Sequence, residues 1–145
     1  MQYSAAMSSQ QMPGGGLALV DVPSHCNNAP RKVALRDFVL ALYNQNLEGV
    51  AAFLSDKIRW SQIGSQTREG IDAISRWILN QPRARELRVN TIITHGSECS
   101  VDGTTTFDDG ARVAFCHVVV FSGAGKSAKI KEIRSYLKDL PPHTV

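Results

Sequence analysis

No apolar run in the 145 residues approaches the roughly 20 needed to cross a bilayer, so no membrane segment is expected. The opening stretch MQYSAAMSSQQMPGGG has neither the positive start nor the long apolar centre of a secretory signal, LALV being only a fragment of one, and the expected compartment is the cytoplasm. Cysteine is scarce. Cys26, Cys99 and Cys116 are odd in number and widely spaced, which fits neither a disulfide framework nor the paired spacing of a zinc site, so no metal is expected. Charge of one sign is also lacking: a formal balance of +3, with Lys and Arg spread among Asp and Glu, gives no footprint for nucleic acid. GGG at 14–16 lacks the preceding strand and following helix of a phosphate-binding loop, no repeat is present, and no cofactor is indicated.

What is there is enough for one domain with a real core. Residues 1–30 are rich in Ser, Gln, Gly, Pro and Asn without periodicity and read as a flexible arm; 31–140 form the domain and 141–145 a tail. After Pro30, the apolar Leu35, Phe38, Val39 and Leu42 fall on one face of a helix. A short helix is expected over LEGVAAFLS, a strand over IRWSQIG, and a helix over EGIDAISRWIL that stops before Pro82. The pattern then turns to strands: LRVNTIITH, ECSVDGTTTF, RVAFCHVVVF and SAKIKEIRSYL, with turn signals at Asp109-Gly110 and at 123–125. Helices followed by an antiparallel meander define an α+β domain with its helices on one face of the sheet.

The strand ARVAFCHVVVF holds one histidine among apolar residues. Alternation puts Val113, Phe115, His117, Val119 and Phe121 on one face and Ala114, Cys116, Val118 and Val120 on the other. Both faces are apolar and the helices cover only one, so a homodimer through the outer sheet face is expected. A two-residue turn within GAG would place Ile130, Glu132, Arg134 and Tyr136 on the histidine's face, and a turn centred on Ala124-Gly125 sets His117 opposite Glu132. His117, Glu132 and Arg134 would then form either a satisfied internal network or the floor of a pocket. Trp60 and Gln62 share a face of the early strand. Tyr43 either presents its hydroxyl to the same cavity or simply ends the first helix.

The order of the first helix, NLEGVAAFLSDKIRW, SQIG, REGIDAISRWI and FDDGARVAFCHVVVFSGAGKSAKIKEIRSYL, over about residues 31–138, resembles the nuclear transport factor 2-like (NTF2-like) superfamily, especially its SnoaL-like and ketosteroid isomerase-like branch. The resemblance implies a cone-shaped, cystatin-like fold in which a curved antiparallel sheet wraps the N-terminal helices around an apolar pocket. Phe38 stands where ketosteroid isomerase has its substrate-binding tyrosine, Gln62 where it has its aspartate base, and His117 where it has its pocket aspartic acid. A phenyl ring donates no hydrogen bond and an amide abstracts no proton, so that mechanism does not transfer, although the location does. Two readings stay open. In one, the protein is a cofactor-independent isomerase, dehydratase or cyclase acting on a small apolar substrate, with His117 and Glu132 as its catalytic pair and Phe38, Tyr43, Trp60, Gln62, Phe115, Val119, Arg134 and Tyr136 around the ligand. In the other, it is a non-catalytic hydrophobic-ligand or dimeric interaction module.

Overall fold

The computed structural model describes residues 18–21 and 30–142. Along the chain these residues form β1 (Ala18–Asp21), α1 (Pro30–Tyr43), α2 (Leu47–Ala51), β2 (Leu54–Gln62), β3 (Thr67–Glu69), α3 (Ile71–Leu79), β4 (Ala84–His95), β5 (Glu98–Phe107), β6 (Arg112–Phe121) and β7 (Ile130–Leu140). The strands make one sheet in the order β1-β4-β5-β6-β7-β2-β3. It is curved, and the helices lie on one of its faces, as expected of an α+β chain.

The sheet is mixed rather than purely antiparallel, because β1 runs parallel to β4 and β2 parallel to β7. β1 falls within the stretch expected to be an arm, where pairing with a long neighbouring strand orders four residues that have no periodicity of their own. The remainder of that arm, 1–17 and 22–29, and the end of the tail, 143–145, lie outside the described residues.

Helix α1 starts at Pro30, whose fixed φ suits a first helical position. It buries Leu35, Phe38, Val39 and Leu42 against the sheet. Its end is a Schellman turn: Asn46 N bonds Ala41 O at 2.9 Å, Gln45 N bonds Leu42 O at 3.1 Å, and Gln45 is left-handed at φ 56°. Asn46 then caps α2 by accepting from Gly49 N at 3.0 Å. α2 is shorter than the LEGVAAFLS pattern suggests. Phe53 O accepts from Ile130 N at 2.8 Å and Leu54 pairs with Ile130, so β7 draws this segment into the sheet.

β5 and β6 have the bounds their patterns predict. On β6, Phe115, His117, Val119 and Phe121 are buried beneath the helices, while Ala114, Cys116, Val118 and Val120 are half-buried on the outer face. The pairing of β6 with β7 differs from expectation. A longer connection, 122–129, replaces the two-residue turn and closes with Ser122 N donating to Lys129 O. Phe121 pairs with Ile130 but Val120 pairs with Glu132, so Lys131 is a bulged extra residue. One inserted residue exchanges the two faces of everything beyond it. His117 therefore stands opposite Ser135, and Glu132 stands opposite Val120.

Candidate functional site

The site is built where the end of α1 meets the middle of β6 and β7. His117 is 2% exposed, and its ring stacks on Phe115 at 4.9 Å between centroids and 21° between planes. Trp60 presents its ring at 86° to the imidazole, 6.2 Å away. Both imidazole nitrogens are engaged: Nδ1 lies 2.7 Å from Ser135 Oγ, and Nε2 lies 3.0 Å from the Tyr43 hydroxyl. Trp60 Nε1 donates to the same Ser135 Oγ at 2.7 Å. A chain of hydrogen bonds thus runs Trp60, Ser135, His117, Tyr43 from β2 through the sheet to the end of α1.

Burial lowers the His117 pKa from 6.5 to about 3, and it raises that of Tyr43. Both groups are neutral near pH 7. Among the described residues no carboxylate contacts the imidazole, and desolvation by burial is the cause of its shift.

Above this chain opens a cavity of about 580 Å³, between the C-terminal ends of α1 and α3 and the ends of β5, β6 and β7. Leu42, Trp77, Phe107, Val113 and Leu137 give it apolar walls; Tyr43, Gln62, Thr105, His117 and Ser135 supply its polar groups. Lys138 and Asp139 also line it, one charge of each sign. Gln45 ties the two helix ends together, donating to Ile78 O at 2.9 Å and Gln81 O at 3.1 Å. Trp77 packs edge-on against Trp60 at 5.1 Å and carries the Arg68 guanidinium 4.5 Å above its ring. Among the described residues, no three His, Cys, Asp or Glu side chains converge as metal ligands.

Of the residues singled out from sequence, Tyr43, Gln62 and His117 line this cavity. Phe115 lies against the imidazole, and Trp60 is buried behind Ser135. Phe38 and Val119 are fully buried in the core, Phe38 packing on Phe53 at 5.8 Å and Trp60 at 5.9 Å. Glu132, Arg134 and Tyr136 are on the other side of the sheet, and this corrects the expected pairing with His117. Arg134 Nη1 donates to Glu132 Oε2 at 2.8 Å, which raises the arginine's pKa, and Tyr136 is 46% exposed. Sequence reasoning passed over Ser135, although β7 carries a signal for it. Ile133, Ser135 and Leu137 alternate with Glu132, Arg134, Tyr136 and Lys138, the pattern of a strand with its charges facing water.

No family model and no curated protein matches the chain in sequence. Solved structures do match. An NTF2-like protein of unknown function from Burkholderia xenovorans superposes with a TM-score of 0.67 at 12% identity, over 79% of this chain and 88% of the other. A candidate ketosteroid isomerase from Kribbella flavida gives 0.65 at 17%, over 79% and 84%. An LEH-like epoxide hydrolase from M. tuberculosis gives 0.58 at 22%, over 75% and 83%. The chain has the NTF2-like fold.

Proposed function

We propose that the protein binds a small, uncharged, mainly apolar molecule in the cavity beside His117. The observation carrying this reading is a buried neutral imidazole, bonded at both nitrogens, in the wall of a cavity of about 580 Å³ that is otherwise largely apolar. Such a volume suits a small ligand, with apolar walls supplying affinity and a few fixed polar groups supplying orientation. Catalysis by a His117–Glu132 pair has lost its support, since Glu132 is across the sheet and an imidazole held at a pKa of about 3 is a poor proton acceptor at neutral pH.

The test is a titration with the neutral fluorescent dye N-phenyl-1-naphthylamine, for wild type and for Val113→Trp, which fills the cavity from a half-buried wall position. Saturable 1:1 binding that Val113→Trp abolishes, with the fold intact by circular dichroism, supports the reading. Absence of saturable binding to wild type refutes it.

We also propose a homodimer through the outer sheet face, in the cytoplasm. Val118 and Val120 are half-buried there, Ile93 is 58% exposed, and Asp102 Oδ1 is buried without a hydrogen-bond partner among the described residues. Sedimentation of wild type beside the double variant Ile93→Glu, Val118→Glu separates a dimer from a monomer.

A further inference from the structure

The hydrogen-bond chain behind the cavity has a direction, and the direction selects the ligand. Trp60 Nε1 can only donate, so Ser135 Oγ must accept from it. Ser135 borders the cavity but is only 1% exposed, so its hydroxyl proton is satisfied best by an acceptor of the protein itself. Among the described residues, the one other atom in hydrogen-bond contact with Ser135 Oγ is His117 Nδ1, at 2.7 Å. If Nδ1 carried the imidazole proton, Ser135 Oγ would accept twice and its own proton would have no acceptor among the described residues. Ser135 donating to a bare Nδ1 satisfies every group. The imidazole proton then sits on Nε2 and is donated to the Tyr43 oxygen 3.0 Å away. With its oxygen accepting from His117, the Tyr43 O–H is left to point away from the imidazole, and Tyr43 is a residue of the cavity lining.

We infer that Tyr43 is a fixed hydrogen-bond donor to the ligand, and that the cavity therefore selects uncharged apolar molecules bearing an acceptor oxygen, such as a carbonyl or ether. The inference rests on the pocket reading above and extends it to a ligand class. Trp60, Ser135 and His117 act through Tyr43 as positioning residues. The opposite tautomer would make Tyr43 donate to Nε2, leaving only lone pairs toward the cavity, and would select ligands carrying an O–H or N–H instead.

Two measurements test this. The first needs no ligand: nitrogen NMR of protein labelled with ¹⁵N-histidine, with His117 assigned by loss of its signals in His117→Leu. The expected result is a proton on Nε2 and a bare Nδ1; a proton on Nδ1 overturns the inference. The second compares 2-acetylnaphthalene with 2-isopropenylnaphthalene, which differ in having C=O or C=CH₂. Wild type is expected to bind the ketone about tenfold more tightly, a difference of about 1.4 kcal/mol. Tyr43→Phe keeps the ring and is expected to erase the preference without weakening the hydrocarbon. Ser135→Ala frees Nδ1 to take the proton and is expected to lower the preference toward that of Tyr43→Phe, whereas a merely structural loss would weaken both ligands alike. A ketone preference that survives Tyr43→Phe, or is absent from wild type, overturns the inference while leaving the pocket reading intact. Failure of both compounds to bind wild type overturns the pocket reading, and with it the ligand class, whichever tautomer NMR reports.

Discussion

Ser135 and His117 face each other across β6 and β7, with Ser135 Oγ 2.7 Å from Nδ1 of the imidazole. The serine also accepts a hydrogen bond from Trp60 Nε1, so a single hydroxyl satisfies two buried nitrogens on two other strands. Its small size allows this. A longer polar side chain in the same place would displace Phe115 or Trp60 from the ring contacts that enclose the imidazole.

Replacing Ser135 with alanine is expected to lower the unfolding free energy in urea by about 1–3 kcal/mol for each nitrogen it leaves unpaired. Trp60 and His117 are both buried, so neither recovers its partner from solvent. A change below about 0.5 kcal/mol, the range of ordinary surface substitutions, would mean the network contributes little to stability.

Glu132→Gln gives the contrasting result. Its carboxylate bonds Arg134 on the outer face, where both side chains are more than a third exposed, and pairs of that kind contribute about 0–1 kcal/mol. The expected outcome is a stability within about 0.5 kcal/mol of wild type and an unchanged affinity for the neutral dye. Loss of dye binding in Glu132→Gln would tie this residue to the pocket after all.

The elements were legible wherever a residue pattern alone sets the structure. α1 showed in the spacing of Leu35, Phe38, Val39 and Leu42, and β5 and β6 in their alternation and the Asp109-Gly110 turn. The partner of His117 was not, because it depends on the length of the connection 122–129 and on a bulge at Lys131, and neither leaves a periodic trace. The charge alternation of β7 was the better guide, since it reports which face meets water whatever the turn does. Parallel pairing of β2 with β7 was equally hidden, for it joins segments far apart in the chain.

Gln45 occupies a left-handed position, φ 56°, that glycine adopts at lower cost. Its side chain offsets the strain by bonding Ile78 O and Gln81 O at the end of α3. Gln45→Ala keeps the strain and loses both bonds, whereas Gln45→Gly loses the bonds and relieves the strain. The expected order of stability in thermal unfolding is therefore wild type, then Gly, then Ala, with Gly above Ala by about 1 kcal/mol. Alanine equal to or above glycine would show that the backbone at 45 relaxes out of the left-handed region.

The imidazole makes stability depend on pH in a definite window. Burial holds the His117 pKa at about 3 in the native protein, against 6.5 in an unfolded chain. Between those values the unfolded chain holds a proton that the native protein lacks, so the native state gains stability as pH rises. This contribution is fully present above the unfolded pKa of 6.5 and is lost as pH falls toward 3. One proton changes the unfolding free energy by at most about 1.4 kcal/mol per pH unit. Carboxylates titrate in part of the same range, so the informative quantity is the difference between wild type and His117→Leu, in which their contributions cancel. Urea unfolding is expected to show wild type losing on the order of 2 kcal/mol relative to the leucine variant between pH 6.5 and about 4.5. The leucine variant starts lower if Ser135 and Tyr43 are left unpaired, but an offset of that kind is constant with pH and does not alter the slope. Parallel curves would mean that His117 accepts a proton in place, and would return it to the set of groups able to act as a base.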